Sequence, residues 1–142
     1  MDKSIVLDGG SLTRAQLVAA ACQGVSVTLD AAGLQRVQRA AEFLADKVNC
    51  GEPTYGVTTG FGSNADKLLG TQRVRDGLPG AATSGAAKGS LMDELQHNLI
   101  ITHAVCVGEP MSAEVARAML VIRINTLMRG HSGIRVGTLQ AL

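Results

Sequence analysis

Among the side chains whose types can do chemistry, the single tyrosine, Tyr55, is the most informative. It opens the stretch Tyr-Gly-Val-Thr-Thr-Gly-Phe-Gly at residues 55–62. A phenol can move a proton, but its ordinary pKa of about 10 requires surroundings that stabilise the phenolate or make the transfer concerted. The glycines of this stretch let the backbone approach a ligand closely. A lone tyrosine can also simply pack its ring, and composition alone favours that role.

The histidines and cysteines show neither metal-site nor redox-pair spacing. Cys22, Cys50 and Cys106 are odd in number and widely separated, which indicates reduced thiols in a cytoplasm. His97 and His131 have no partner histidine or carboxylate at ligand spacing, so we expect both to be structural. The sequence therefore predicts no metal.

The glycine pattern also raises a nucleotide-binding interpretation, because residues 60–65, Gly-Phe-Gly-Ser-Asn-Ala, fit Gly-x-Gly-x-x-Gly/Ala. No clear apolar strand precedes this stretch. About twenty residues later, where a dinucleotide fold needs an acidic residue, the chain has Pro79 and Gly80. No nucleotide cofactor is predicted.

Composition and charge favour a single, mainly helical domain over residues 1–142. Aliphatic side chains dominate the apolar residues, with two Phe, one Tyr and no Trp, which is typical of helices packed through small and aliphatic groups. The formal charge of +1 comes from interspersed residues and lacks the basic run of a nucleic-acid binder. No segment resembles a signal peptide or reaches the roughly 20 apolar residues of a membrane span. We expect a cytoplasmic protein with neither nucleic-acid nor membrane partners.

Hydrophobic periodicity predicts the elements that must position Tyr55. Residues 5–7 and 25–29 resemble short strands, separated by a helix that Ser11 or Thr13 can cap and Gly24 can end. Residues 30–47 predict a long amphipathic helix, whose stripe at steps of three and four is Leu34, Val37, Ala41, Leu44 and Val48. That period breaks at residues 49–63, which predicts a structured loop around Tyr55.

A small-residue-rich stretch separates this loop from the next predicted helix. Residues 77–89 are rich in Gly and Ala and predict a flexible internal loop. Residues 90–93 match a capping box, Ser-Leu-Met-Asp. The helix that they start is predicted to carry Cys106 on its apolar face and to end near Gly108.

The last third of the sequence predicts another helix and the start of a further one. Ser112 can cap a helix that runs to Gly130. Its apolar stripe is predicted at Val115, Met119, Ile122, Leu127 and Met128. A final apolar pattern from Ile134 reaches Leu142 without a cap, so we expect the chain to be truncated within a helix.

Three blocks, in this order, resemble the ammonia-lyases that act on histidine, tyrosine and phenylalanine. The first is Leu-Asp-Gly-Gly-Ser-Leu-Thr at residues 7–13, and the second is the highly specific stretch 55–62. The third runs from Leu-Gln-His-Asn-Leu-Ile at 95–100 through His103 and Gly108-Glu109-Pro110 to Arg-Ile-Asn-Thr-Leu at 123–127 and Arg-Gly-His-Ser-Gly at 129–133. Apart from the 77–89 loop, the resemblance covers the chain nearly end to end.

The resemblance implies the N-terminal helical domain of a fumarase/aspartase-like ammonia-lyase fold, mainly α with a small β element. In that family an Ala-Ser-Gly tripeptide cyclises into 4-methylidene-imidazol-5-one, an electrophile for the substrate amine. The 142 residues contain no Ala-Ser-Gly, and the Ser-Gly pairs at 83–85 and 131–133 lie in the wrong context. We therefore expect a homotetrameric enzyme whose tripeptide follows Leu142, with this chain inactive alone.

The resemblance also implies roles for four residues. Tyr55 matches the base that removes the β-proton so that ammonia can leave, and Gly62 in the same motif matches a substrate-binding position. Thr102 and His103 fall where the family selects the substrate side chain: histidine-specific members tend to carry Ser-His, tyrosine-specific bacterial members His-Leu, and phenylalanine-specific members Phe-Leu. A hydroxyl followed by an imidazole can hydrogen-bond a polar ring. This favours histidine, converted to urocanate, with tyrosine or phenylalanine next.

Two other functions stay open at the level of sequence. A 2,3-aminomutase would use the same electrophile on the same amino acids. A helical assembly module without activity is the alternative from another class, since family members assemble active sites from more than one subunit. Arg117 and Arg123 recur in the family, and we expect them to tie helices together.

Overall fold

The computed structural model describes residues 4–62 and 91–142. These residues form strands β1 (Ile5–Leu7) and β2 (Val27–Leu29) and helices α1 (Arg14–Gln23), α2 (Ala31–Asn49), α3 (Leu91–His103), α4 (Ala113–Leu127) and α5 (Val136–Ala141). Backbone contacts group the chain into two units, Met1–Asp46 with Glu109–Leu142 and Lys47–Gly108. The predicted flexible loop at 77–89 lies outside the described residues, and the single-domain organisation stays a prediction.

The predicted strand pair is confirmed as a parallel pair joined by a helical crossover. Ile5 pairs with Val27 and Leu7 with Leu29. Parallel strands need such a crossover, and α1 supplies it. Thr13 rather than Ser11 caps α1: its side chain accepts from the Gln16 amide while the Gln16 side chain accepts from the Thr13 amide. The helix therefore starts where a reciprocal capping box satisfies its first amides.

The long amphipathic helix is confirmed as α2, from Ala31 to Asn49. Asp30 precedes it and accepts the Gly33 amide at 2.8 Å, which caps the first turn. Of the predicted stripe, Val37 is fully buried and the other members are half-buried. The hydrophobic periodicity therefore predicted the buried face of α2 correctly.

The apolar core lies in the unit of Met1–Asp46 with Glu109–Leu142. Its buried members come from β1, from helices α1, α2, α4 and α5, and from Met128 directly after α4: Ile5, Leu7, Ala20, Val37, Val121, Ile124, Leu127, Met128 and Leu139. Arg117 of α4 donates to the Ala21 carbonyl in the last turn of α1 at 2.6 Å. Arg117 thus ties two helices together, as expected from the sequence.

The prediction for the end of α3 was wrong, because the helix stops at His103 and not near Gly108. The Ala104 amide still bonds to the Ile100 carbonyl, after which residues 104–107 are not helical. Val105 and Val107 are β-branched and have low helix propensity, which favours this early end. Cys106 is therefore exposed outside the helix.

The predicted inner face of α4 was wrong in part, although Ser112 caps the helix as expected. Leu127 and Met128 are buried as predicted, whereas Val115, Met119 and Ile122 are about half exposed. The other buried side chains of this helix are Val121 and Ile124. This helix carries apolar residues nearly all round, so its periodicity could not select a face.

The last described helix, α5, begins after Arg135 and reaches Ala141. Leu139 is fully buried, whereas Leu142 is 48% exposed. Within residues 4–62 and 91–142, no helix has both the length and the apolar character needed to cross a membrane.

Candidate active site

The loop that carries Tyr55 starts at a well-defined helix end. At the C-terminus of α2, Gly51 adopts φ +69° and donates to the Val48 carbonyl, while Glu52 donates to the Lys47 carbonyl. This pair of bonds is a Schellman motif, and the left-handed backbone that it needs explains the glycine. The Lys47 ammonium also lies 2.6 Å from the Glu52 carboxylate. The direction in which the chain leaves the helix is thus fixed.

Inside the loop, which is neither helix nor strand, two threonine hydroxyls bond to the backbone. Thr58 Oγ1 accepts from the Thr54 amide at 2.7 Å and donates to the Glu52 carbonyl at 2.8 Å. Thr59 Oγ1 accepts from the Gly56 amide at 3.3 Å and donates to the Gly60 carbonyl at 3.1 Å. Both threonines are almost fully buried. Because each buried hydroxyl has a donor and an acceptor partner, the loop satisfies its polar groups internally.

A tight turn at Thr54 places Tyr55 at the loop surface. The Thr54 carbonyl accepts from the amides of Val57, Thr58 and Thr59 at 3.0, 3.0 and 3.3 Å. The Tyr55 side chain is 65% exposed. The phenol is therefore presented outward from a hydrogen-bonded turn.

The C-terminal end of the loop contacts the Tyr55 side chain. The Gly62 amide donates to the Tyr55 hydroxyl oxygen at 3.2 Å. The ring of Phe61 meets the ring of Tyr55 edge to face, with centroids 5.9 Å apart and planes at 85°. The structure thus brings together the predicted base, Tyr55, and the predicted substrate-binding residue, Gly62.

The second predicted pair, Thr102 and His103, lies exposed at the end of α3. Thr102 Oγ1 donates to the Asn98 carbonyl at 2.7 Å and lies 3.2 Å from His103 Nδ1. His103 Nδ1 lies 2.9 Å from the Leu99 carbonyl oxygen. A carbonyl oxygen carries no proton, so the hydrogen of this bond belongs to Nδ1. In neutral His103, Nε2 is then a hydrogen-bond acceptor.

The two predicted pairs stay separate in the structure. No hydrogen bond or ring contact joins Tyr55 or Gly62 to Thr102 or His103 within the described ranges 4–62 and 91–142. The same ranges hold no cluster of three His, Cys, Asp or Glu side chains suited to a metal ion. The other two histidines, His97 and His131, are exposed.

Comparison with known proteins shows the family of the chain. The sequence profile described as aromatic amino acid lyase matches residues 12–142. The chain belongs to this family. A histidine ammonia-lyase of Symbiobacterium thermophilum is 40% identical over 134 residues, which are 94% of this chain and 23% of that protein. A histidine ammonia-lyase of Gloeobacter violaceus is 39% identical over 97% of this chain and 23% of its own length.

Solved structures of aromatic amino acid lyase relatives share the fold. Histidine ammonia-lyase from Trypanosoma cruzi matches with a TM-score of 0.74 and 33% identity, over 97% of this chain and 23% of that one. Tyrosine aminomutase from Streptomyces globisporus matches with a TM-score of 0.76 and 26% identity, again over 97% and 23%. The predicted mainly α fold with a small β element, of the fumarase-like ammonia-lyase type, is confirmed. The chain spans about a quarter of the length of the relatives that it matches.

Sequence reasoning missed Phe61 as the partner of the Tyr55 ring. The signal was present in the aromatic amino acid lyase motif itself, where Gly56 and Phe61 stand one and six residues after the tyrosine. Gly56 adopts φ +70°, and a Cβ built on it would lie 2.5 Å from Phe61 Cε1. A glycine is thus required where the Phe61 ring meets the backbone.

Proposed function

We propose that the protein to which this sequence belongs eliminates ammonia from an aromatic L-amino acid, with histidine, converted to urocanate, as the first candidate. The observation that carries the proposal is Tyr55, which is 65% exposed on a hydrogen-bonded loop and whose hydroxyl oxygen accepts from the Gly62 amide at 3.2 Å. Names of the relatives support the reaction class, since the matched curated proteins are histidine ammonia-lyases.

Tyr55 is the proposed base. Its oxygen takes the β-proton of the substrate, the electrons of that C–H bond form the carbon–carbon double bond, and the Cα–N bond breaks as ammonia leaves. The Gly62 amide donates to this oxygen at 3.2 Å, which helps to fix the position of the proposed base. An exposed hydroxyl can also reach a substrate held by other parts of the protein, which suits a base supplied from this loop.

The electrophile expected in this family, 4-methylidene-imidazol-5-one, would activate the substrate amine as a leaving group. Its Ala-Ser-Gly precursor does not occur in the 142 residues, so this chain contributes the base and binding groups alone. We propose that the chain by itself is inactive, that the enzyme is a cytoplasmic homotetramer, and that it needs neither metal nor nucleotide.

Thr102 and His103 are the proposed selectivity pair, with Gly62 as the third substrate-binding residue. With its Nδ1 hydrogen committed to the Leu99 carbonyl, neutral His103 offers Nε2 as an acceptor. A substrate ring that carries an N–H or O–H donor satisfies it, whereas a phenyl ring does not. This supports histidine or tyrosine over phenylalanine.

The full-length protein tests the proposal by absorbance. Incubation with histidine, tyrosine and phenylalanine should release urocanate fastest, coumarate next and cinnamate least. If no unsaturated acid forms from any of them, the lyase function is wrong. The structural match to a tyrosine aminomutase favours one second candidate, a 2,3-aminomutase. Chromatography of the same reactions for the β-amino acid separates the two activities.

A further inference from the structure

Two contacts fix the Tyr55 side chain although the residue is mostly exposed. An exposed side chain normally samples several rotamers, and fixing one of them costs conformational entropy. Here the Tyr55 and Phe61 rings meet edge to face with centroids 5.9 Å apart, and the Tyr55 hydroxyl oxygen accepts from the Gly62 amide at 3.2 Å. Each contact involves a residue at the far end of the same loop, so the loop's closure sets where the phenol lies.

Phe61 is itself seated against the backbone beneath it. Its ring is half-buried and occupies the space where a side chain at residue 56 would lie, since a Cβ on Gly56 would come within 2.5 Å of Cε1. The same ring contacts the Tyr55 ring at an interplanar angle of 85°. Phe61 therefore packs against both the Gly56 backbone and the Tyr55 ring.

We propose that Phe61 is the positioning residue of the active site, holding the Tyr55 phenol in the orientation needed to meet the β-proton. The inference rests on the proposed function of Tyr55 as base. Edge-to-face aromatic pairs prefer one mutual geometry, which a flexible aliphatic side chain does not impose. A displacement of about 1 Å in a catalytic group can lower turnover by about 100-fold.

Near-ultraviolet circular dichroism of this chain tests the contact directly. The sequence has one tyrosine and no tryptophan, so the tyrosine band reports on Tyr55 alone. A tyrosine gives a strong band only when its surroundings are fixed. We expect Phe61→Leu to lose most of the band while the far-ultraviolet helical signal is unchanged. The matched control is Phe43→Leu, the same change at the chain's other phenylalanine, which should leave the band intact.

A second variant tests the same packing while keeping the Phe61 ring. Gly56→Ala should push Phe61 away and weaken the tyrosine band as Phe61→Leu does, because its Cβ has no room. An unchanged band in both variants would overturn the contact. If Phe61→Leu lowers the helical signal, the tyrosine band of Gly56→Ala decides whether Phe61 holds Tyr55.

Turnover of the full-length protein tests the role in catalysis. Phe61→Leu should lower kcat by about 100-fold with a much smaller change in KM, and Phe61→Tyr, which restores a ring, should recover most of kcat. If Phe61→Leu loses the band but keeps kcat, the positioning role is wrong. If Tyr55→Phe itself keeps kcat, the proposed base is wrong instead, and the tyrosine band still reports whether Phe61 holds Tyr55.

Discussion

The apolar core of one unit and the Tyr55 loop of the other are stabilised by different interactions. In the unit of Met1–Asp46 with Glu109–Leu142, nine buried apolar side chains form the core. In the loop at residues 50–62, the buried residues are Thr58, Thr59 and Gly60, and hydroxyl hydrogen bonds replace apolar contacts. Apolar burial is non-directional and stabilises a scaffold, whereas hydrogen bonds and edge-to-face aromatic pairs have preferred geometries and can place a phenol. The difference separates what folds the chain from what orients Tyr55.

The core is where a single truncation should cost most. Leu7 is fully buried in β1, and we expect Leu7→Ala to lower the free energy of unfolding by about 2–5 kcal/mol. Val6, its neighbour on the same strand, is 49% exposed, so Val6→Ala should cost about 0.5 kcal/mol or less. Urea unfolding of the two variants measures both. Equal losses would mean that burial in this unit does not determine its stability.

In the loop, the Thr58 hydroxyl should contribute more to stability than the volume of the Thr58 side chain does. Thr58→Val keeps the shape but leaves the Thr54 amide and Glu52 carbonyl without this partner. We expect the free energy of loop opening to fall by about 1–3 kcal/mol, measured by amide hydrogen exchange at residues 57–59. Thr126→Val, on the exposed side of α4, is the control and should leave that exchange unchanged. Unaltered exchange in Thr58→Val would show that the loop is held by something other than its hydroxyls.

A smaller effect on stability is expected from the turn at residues 8–11, which the Asp8 carboxylate stabilises through hydrogen bonds. The Asp8 carboxylate accepts from the Gly10 and Ser11 amides at 2.8 Å, which lowers its pKa from 3.8 to about 2. A carboxylate with a lowered pKa stabilises the fold above its unfolded-state pKa, and that contribution disappears as the pH falls through the folded-state value. Urea midpoints should therefore fall more for the parent chain than for Asp8→Asn between about pH 4.5 and pH 2. Parallel pH profiles would contradict this assignment.

Local signals in the sequence predicted most of the scaffold. Thr13, Asp30 and Ser112 are polar residues just ahead of apolar periods, and each precedes a helix of the structure. The stripe on α2 gave the buried position of Val37 because polar residues line the rest of that helix. In α4 apolar residues surround the helix, so which of them meet the core depends on tertiary contacts that periodicity does not contain.

The Tyr55 loop was predictable by resemblance to a family motif more than from hydrophobic pattern. A run of Gly and Thr has no hydrophobic period, so its turn at Thr54 and the bonds of Thr58 and Thr59 could not be derived from pattern alone. The edge contact of Phe61 depends on how the loop closes, which is a three-dimensional property. The early end of α3 at His103 was missed because the apolar period of the sequence continues to Cys106.

The most direct test of the account is the turnover of Tyr55→Phe in the full-length protein. Removing the hydroxyl leaves the aromatic ring that packs against Phe61, so the fold and the loop should persist. We expect ammonia release from the preferred amino acid to fall by about 100-fold or more, as when a catalytic proton-transfer group is lost. Turnover close to that of the parent enzyme would contradict the assignment of Tyr55 as the base.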